Sequence, residues 1–316
     1  MIILAPLHGF TDFIFRNVYS RHYQGIDVAV SPFISLTQCE KINPRKAKDV
    51  LPANNSSMPV IPQILGKEPE LFIQMAHFLQ DLGYDELNWN LGCPVKSIAN
   101  NKRGSGMLPY PDLLRSILDK IIPAIGSQLS VKIRLGYYST DEIYQLIPVL
   151  NDYPLQNICI HPRIGTQMYE GEIQHEVLQA VIDDFKHEII YNGDINTLDD
   201  FNNIQQRYPS IKKWMIGRGV FYNPLLPQQI KEGRVAINVI DSERFSFFIN
   251  DLIHELRLCK TETQTVNKVK DLWSLFSYGF EERISVYNQI IHVDNLHDMI
   301  RTINTIIETE KRLLAK

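Results

Sequence analysis

The sequence predicts an α/β protein, a (β/α)8 TIM barrel followed by a C-terminal all-α helical bundle, and three observations support this. Eight short apolar runs rich in β-branched residues alternate with segments of helical periodicity. The runs are apolar throughout, which is typical of parallel strands covered by helices. After about residue 240 only helical periodicity remains. We therefore predict a barrel domain at residues 1–235 and a helical domain at residues 241–316, with a linker that begins near Gly233.

The predicted elements follow in order along the chain. The strands of the barrel are predicted at residues 2–6, 26–31, 59–64, 86–91, 129–134, 156–161, 188–192 and 212–217. Amphipathic segments between them, such as 69–83 and 111–122, predict the outer helices. The tail predicts further helices at residues 242–258, 264–276, 280–290 and 294–314. In a barrel of this kind the active site lies at the carboxyl ends of the strands.

The composition is that of an ordinary globular enzyme. The chain has 316 residues, of which 44% are hydrophobic and 22% charged, so it can bury a core without metal or disulfide staples. A net charge of −4 does not indicate a nucleic-acid binder, so any such contact depends on local basic clusters. The cysteines have no zinc or redox spacing, and no leader or membrane-length segment is found. We expect a cytoplasmic monomer with no metal and no membrane contact.

Polar and ionisable residues gather at the predicted carboxyl ends of the strands, where a barrel enzyme carries its chemistry. In chain order they are Pro6, Ser31, Gln63, Asn90 with Cys93, Lys132 with Arg134, His161 with Arg163, residues 192–194 and residues 217–219. Random strand ends would rarely collect so many such groups. The predicted active site is therefore this end of the barrel.

Two glycine motifs follow the last two strands. Asn192-Gly193-Asp194 and Gly217-Arg218-Gly219 bring small residues and backbone amides to the place where barrels commonly hold a phosphate. The phosphate of flavin mononucleotide (FMN) would fit there, and Arg218 would add a charge-assisted contact. Either motif alone is equally compatible with a structural turn, so the prediction depends on the two occurring at adjacent strand ends.

Lys132 and Arg134 lie on the same side of the fifth predicted strand, because side chains alternate along a strand. An inward lysine is costly unless it is paired. A reduced flavin carries negative charge near N1 and O2 and would supply that partner; the alternative is a salt bridge at the barrel mouth. His161 and Gln63 would complete the polar lining by hydrogen bonding to the cofactor.

Cys93 follows the fourth predicted strand in the sequence Asn90-Leu91-Gly92-Cys93-Pro94. A free cysteine is most often a small core residue. This one lies off the strand between Gly92 and Pro94, which makes burial less favourable. An ordinary thiol stays protonated at neutral pH and can act as a general acid.

These motifs, taken in order, resemble the tRNA-dihydrouridine synthase family. The resemblance is carried by residues 5–12 (APLHGFTD), 63–66 (QILG), 90–94 (NLGCP), 104–106 (GSG), 131–134 (VKIR), 161–163 (HPR), 167–169 (QMY), 192–195 (NGDI) and 216–219 (IGRG). It is strong over about residues 2–225 and weaker in the helical tail. There, Lys268 and Lys270 resemble the tRNA-gripping bundle of the family, most closely the bacterial position-16 (C-type) subgroup; the other interpretation is a bundle core with a solvated basic edge.

The resemblance implies FMN as a tightly bound cofactor and NADPH as reductant, with hydride passing from flavin N5 to C6 of a flipped-out uracil in tRNA. It assigns Cys93 as the acid that protonates C5. The implied FMN contacts are Pro6, Leu7, Gln63, Lys132, His161, Asn192, Gly193, Asp194, Gly217 and Arg218. The implied substrate contacts are Asn90, Lys96, Arg134, Arg163, Lys268 and Lys270.

Two departures from the family pattern and two other functions remain open. Pro162 stands where the family usually has glycine, and Leu7-His8 replaces a methionine followed by a small or acidic residue. The first alternative function is an FMN-dependent barrel reductase of a small enone or free pyrimidine, since such enzymes share the cofactor site. The second is an RNA-binding protein with a vestigial barrel. A flavin spectrum on purification would argue against the latter.

Overall fold

A computed structural model describes residues 1–36, 44–234 and 242–314, and the predicted barrel is present in it. All strand pairs are parallel, in the order β3-β5-β6-β7-β8-β9-β10-β1-β2-β4. The strands are β1 (Ile2–Leu4), β2 (Val28–Val30), β3 (Ile34–Ser35), β4 (Val60–Ile61), β5 (Gln63–Leu65), β6 (Glu86–Leu91), β7 (Gln128–Gly136), β8 (Ile158–Ile164), β9 (Ile189–Asn192) and β10 (Lys213–Ile216). The TIM-barrel class predicted from the alternation is confirmed.

One predicted strand is divided and one short strand, β3, was not predicted, which gives ten strand segments instead of eight. The third predicted strand breaks at Pro62, because proline has no N–H to donate to a neighbouring strand. The Pro62 carbonyl still accepts a hydrogen bond from the Asn88 N–H at 2.8 Å, and the Ile61 carbonyl accepts one from the Ser31 N–H at 2.9 Å. Residues 60–65 therefore bridge their two neighbours, and the barrel closes across Pro62.

The outer helices pack their apolar faces on the barrel. The predicted segments 69–83 and 111–122 form α2 and α4, each with a proline at its start, where the missing N–H costs nothing. The helices of the barrel domain are α1 (Phe13–His22), α2 (Pro69–Asp81), α3 (Lys96–Ala99), α4 (Pro111–Ile121), α5 (Glu142–Asn151), α6 (His175–Val181), α7 (Leu198–Arg207), α8 (Gly219–Tyr222) and α9 (Leu226–Glu232). Short 3-10 helices occupy Pro44–Val50, Pro52–Asn54, Gly104–Met107, Gly165–Gln167, Ile182–Asp184 and Ser277–Gly279.

The predicted helical tail is present as a bundle that packs against the barrel. Its helices are α10 (Ser242–Cys259), α11 (Glu262–Phe276), α12 (Arg283–Ile291) and α13 (Leu296–Leu314). Trp273 is 1% exposed and packs against Phe245 and Phe280. Phe248 of α10 contacts Phe15 and Tyr19 of α1 edge-on, so one aromatic seam joins bundle and barrel. The bundle is therefore fixed against the side of the barrel that begins with α1.

Some sequence predictions concern residues outside the described ranges. The predicted boundary between residues 235 and 241 and the cysteine Cys39 are among them. The other three cysteines are free, with Cys93 half-buried, Cys159 buried and Cys259 exposed. Within the described ranges, no helix combines the length and apolar character needed to cross a bilayer.

Candidate active site

A cavity of about 660 Å³ opens at the carboxyl ends of the barrel strands, and we call it the barrel-mouth cavity. Its walls come from the strands β6 to β10, from the loops that follow β1, β2, β6, β8, β9 and β10, and from Leu275 of α11. It brings together twelve of the predicted site residues: Pro6, Leu7, Asn90, Cys93, Lys132, Arg134, His161, Asn192, Gly193, Asp194, Gly217 and Arg218. Barrel topology alone explains this, since every parallel strand delivers its end to the same face.

The loop that carries Cys93 is held from both sides. The Asn90 Oδ1 accepts hydrogen bonds from the N–H groups of Gly92 at 3.1 Å and Cys93 at 2.9 Å. The Cys93 carbonyl accepts bonds from the Ser105 N–H and hydroxyl, both at 3.0 Å. Gly104 has a φ of 56°, and a Cβ there would lie 2.6 Å from the Cys93 carbonyl oxygen. The backbone that carries the thiol is therefore held in place in the cavity wall.

The environment of Cys93 favours the protonated thiol. Burial raises the pKa of the thiol above its ordinary value, because the thiolate would lose hydration. A hydrogen bond from the Val95 backbone and the charges of Arg134 and Lys132 act in the opposite direction, but the pKa remains raised. At neutral pH the group is therefore a thiol, able to donate a proton rather than to attack as a nucleophile.

Lys132 and Arg134 bring positive charge into the cavity without a carboxylate partner among the described residues. Burial lowers the pKa of Lys132 and lowers that of Arg134 to about 10. Arg134 donates to the carbonyls of Gly92 at 3.0 Å and Ile164 at 2.9 Å, so it also ties the Cys93 loop to β8. Unpaired buried cations are costly, which points to an anionic ligand as their partner.

Asp194 is a carboxylate of the cavity wall, and two arginines share it. Arg163 contacts it with both terminal nitrogens, at 3.1 and 2.5 Å, and Arg218 contacts it at 2.9 Å. Burial opposes ionisation of Asp194, but hydrogen bonds and charge from the arginines keep its pKa below the ordinary value. The carboxylate thus orients the two guanidinium groups, and Arg218 keeps one edge in the cavity.

His161 is neutral and its tautomer is fixed. The Arg163 Nη1 lies 3.2 Å from the His161 Nε2, and because an arginine only donates, Nε2 must be the acceptor. The ring hydrogen is then on Nδ1. Burial, reinforced by the charges of Arg134, Lys132, Arg163 and Arg218, lowers the pKa of His161 well below its ordinary value. His161 therefore serves as a neutral hydrogen-bond donor through Nδ1.

Three predicted residues lie beside the cavity rather than in its wall. Gln63 is fully buried, donates to the Asn88 Oδ1 at 2.7 Å and accepts from the Asn90 Nδ2 at 2.7 Å. Gln63 thus positions Asn90, and its contact with a cofactor stays a prediction. Arg163 lies behind Asp194, and Lys96 is exposed at the start of α3.

The two lysines of the tail are engaged within the chain. The Lys268 ammonium bonds the Gly9 carbonyl and forms an ion pair with Asp12 at 3.0 Å, and its side chain is only 10% exposed. Lys270 forms an ion pair with Asp294 at 3.1 Å. In this structure Lys268 links α11 to the loop after β1, and the contact of both lysines with tRNA stays a prediction.

Several residues of the cavity wall were not among the predicted site residues, and four of them carry rings or lie far away in the sequence: His8, Phe33, Tyr169 and Leu275. The Tyr169 ring centroid lies 5.4 Å from the guanidinium carbon of Arg134 and 5.8 Å from that of Arg218. Its only signal was its place in the family-like segment 167–169. Leu275 had no such signal in the sequence, because only the docking of α11 brings it to the barrel.

A family model and curated relatives assign this chain to one protein family. A family model described as dihydrouridine synthase matches residues 3–305. A probable tRNA-dihydrouridine synthase of Staphylococcus aureus is 31% identical over 301 residues, covering 93% of this chain and 89% of the relative. The tRNA-dihydrouridine synthase B of Pasteurella multocida is 30% identical over 226 residues, covering 71% and 67%.

Solved structures share the fold at low sequence identity. The old yellow enzyme homologue of Zymomonas mobilis gives a TM-score of 0.54 at 10% identity, covering 77% of this chain and 91% of that chain. Morphinone reductase gives a TM-score of 0.54 at 11% identity, covering 77% and 88%. At this identity the likeness establishes the barrel fold alone.

Proposed function

Because this chain belongs to the dihydrouridine synthase family, we propose that it reduces the C5–C6 double bond of a uridine in tRNA, with bound FMN and with NADPH as reductant. Family membership makes it a flavin-dependent oxidoreductase. The observation that carries the fuller proposal is the pairing, in one cavity, of a protonated Cys93 thiol with a wall of unpaired cations. The first group supplies a proton and the second stabilises an anionic cofactor.

The residues present fit FMN. A cavity of about 660 Å³ is within the range of small-molecule sites. We propose that Gly193, Gly217 and Arg218 hold the phosphate, and that Lys132 and His161 bind the polar edge of the ring through an ammonium and an Nδ1–H. Pro6 and Leu7 would supply apolar contacts to the cofactor, and Asn192 would form part of the wall of its site. Asp194 orients Arg218, and Gln63 orients Asn90.

When bound, FMN reduced by NADPH supplies the hydride that is added at C6 of the uracil. The chain itself supplies the proton: the Cys93 thiol delivers it to C5, and solvent restores the thiol. Lys132 stabilises negative charge as it develops in the cavity, since no carboxylate in the described part of the chain neutralises it. Asn90 and Arg134, which also fix the Cys93 loop, would face the substrate base.

A uracil in tRNA must leave its stack to enter this cavity. Lys96, exposed on the short α3 near Cys93, remains a proposed contact for the tRNA backbone near the mouth. Arg163, proposed from the sequence as a substrate contact, is buried behind Asp194 and would act through that carboxylate. The tRNA substrate implies action in the cytoplasm, and we propose a monomer that modifies position 16. Mapping dihydrouridine in tRNA from a strain that lacks the gene tests both the reaction and the position.

The second candidate is a reductase of a small enone or free pyrimidine, which the shared barrel fold of morphinone reductase makes worth testing. Leu275 argues against it, because the helical bundle then closes part of the cavity for no evident purpose. Purified protein would be given NADPH with unmodified tRNA, free uridine or cyclohexenone in parallel. Dihydrouridine in tRNA alone supports the proposal, whereas turnover of the small molecules alone overturns it. A preparation that never retains flavin would favour the RNA-binding alternative.

A further inference from the structure

A second cavity of about 620 Å³ lies between the barrel and the bundle, and we call it the domain groove. Its barrel side includes His8, Phe33 and Lys48, and its bundle side includes Lys260 and Asn267. His8 and Phe33 also line the barrel-mouth cavity. The two cavities are therefore neighbours that share one wall, made by these two rings.

The shared wall is a stacked aromatic pair. The ring centroids of His8 and Phe33 lie 4.9 Å apart, and the ring planes differ by 24°. His8 is exposed and Phe33 half-buried, so the pair presents a flat π surface towards solvent with Phe33 as its support. A surface of this kind stacks nucleobases of any sequence.

The described wall of the domain groove carries three lysines and three aspartates, so its value for a phosphate depends on which of the lysines are free. Asp12 and Asp49 are directed to the start of α1, where they accept from the N–H groups of Phe15 and Phe13 at 3.0 Å each, and Asp12 also pairs with Lys268. Lys268 thus neutralises Asp12, whereas Asp49 and the exposed Asp271 have no ion pair among the described residues. Lys48 and Lys260 have no carboxylate partner within the ranges that the structure describes.

We propose that the domain groove binds the nucleotide next to the target uridine, with its base stacked on His8 and its phosphate held by Lys48 and Lys260. The inference rests on the proposed function, since it needs a uridine in the barrel-mouth cavity. A base that leaves the stack exposes a face of its neighbour, and the His8–Phe33 surface takes the place of the base that left. An RNA strand that continues from the barrel-mouth cavity into the domain groove passes directly over the shared wall.

The test uses flavin-loaded full-length protein and unmodified tRNA transcripts, intact or abasic at either neighbour of the target uridine. His8→Ala should weaken binding of the intact transcript roughly 5- to 150-fold, the range measured for loss of one stacked base. His8→Phe should bind like the parent, because its ring still stacks. His254→Ala, on an exposed position of α10, is the matched control and should change nothing.

A double-mutant cycle that combines the His8 variant with the abasic transcripts separates the loss of stacking from a general disturbance of the domain groove. On the transcript that lacks the neighbouring base, His8→Ala should cause little further weakening, and additive effects for both abasic transcripts would overturn the proposal. Lys48→Ala with Lys260→Ala should lower the dependence of log Kd on log salt by about 0.7 for each phosphate that is no longer neutralised, whereas Lys186→Ala should not. If the parent forms no dihydrouridine, the proposed function fails; if it does but His8→Ala binds as tightly as His8→Phe, only the groove proposal fails.

Discussion

The barrel-mouth cavity and α11 both carry lysines that the sequence marked as ligand-binding, and these lysines have different surroundings in the structure. Lys132 enters the cavity with no carboxylate partner in the described ranges. Lys268 is held by Asp12 and the Gly9 carbonyl, and Lys270 by Asp294. A lysine is available to a ligand only where the fold brings no carboxylate to it. This difference predicts that substitutions in the cavity affect chemistry and cofactor binding, whereas those on α11 affect the domain interface.

The largest effect should come from Cys93 in the cavity. Cys93→Ala removes the proton donor, and we expect dihydrouridine formation to fall about 10²- to 10⁴-fold, the usual contribution of a general acid. Flavin content and NADPH oxidation should stay near those of the parent, because the thiol acts after the cofactor is reduced. The measurement is single-turnover product formation by pre-reduced enzyme. Unchanged product formation would disprove the acid assignment, and Cys259→Ala, at an exposed helix end, is the control.

Lys132 should show the next largest effect, on the cofactor itself. Lys132→Met keeps an unbranched side chain of similar length but removes its charge, and the affinity for FMN should fall roughly 10- to 150-fold, as expected when one charged hydrogen bond is removed. Fluorescence titration of the flavin-free protein measures this. Lys120→Met is the control, because Lys120 is exposed and its partner Glu70 lies 3.8 Å away. An unchanged FMN affinity would remove Lys132 from the proposed flavin site.

The contrast between the two regions also shows what the sequence could predict. In a parallel barrel every strand end reaches the same face, so strand position alone brought Asn90, Lys132 and His161 together correctly. The partner of Lys268 could not be predicted, because Asp12 lies at the other end of the chain and meets it only when α11 docks. The break at Pro62 is a further case: the missing N–H was visible in the sequence, but the closure of the barrel around it was not.

The pH dependence of product formation should follow the thiol of Cys93. Its pKa is raised, so the active protonated form persists to higher pH, and the rate should stay flat from about pH 6 to 8 before falling about tenfold per unit above the pKa. No step is expected near pH 6.5, because the pKa of His161 is well below its ordinary value. Pre-reduced enzyme in a pH series gives the profile. Cys93→Ser should lack the alkaline fall, and a rate that drops between about pH 6 and 7 would contradict both assignments.

The smallest effects are expected on α11, and they test the comparison from the other side. Lys268→Met leaves the partly buried Asp12 unpaired, which should lower the free energy of unfolding by roughly 1–3 kcal/mol. Lys270→Met should cost at most about 1 kcal/mol, because its partner Asp294 is 92% exposed. Urea denaturation measures the free energy of unfolding of both variants. The salt dependence of tRNA binding tests the alternative, in which these lysines contact tRNA. If Lys268→Met left stability unchanged but lowered the salt dependence, Lys268 would grip tRNA after all, and its pairing with Asp12 would give way when tRNA binds.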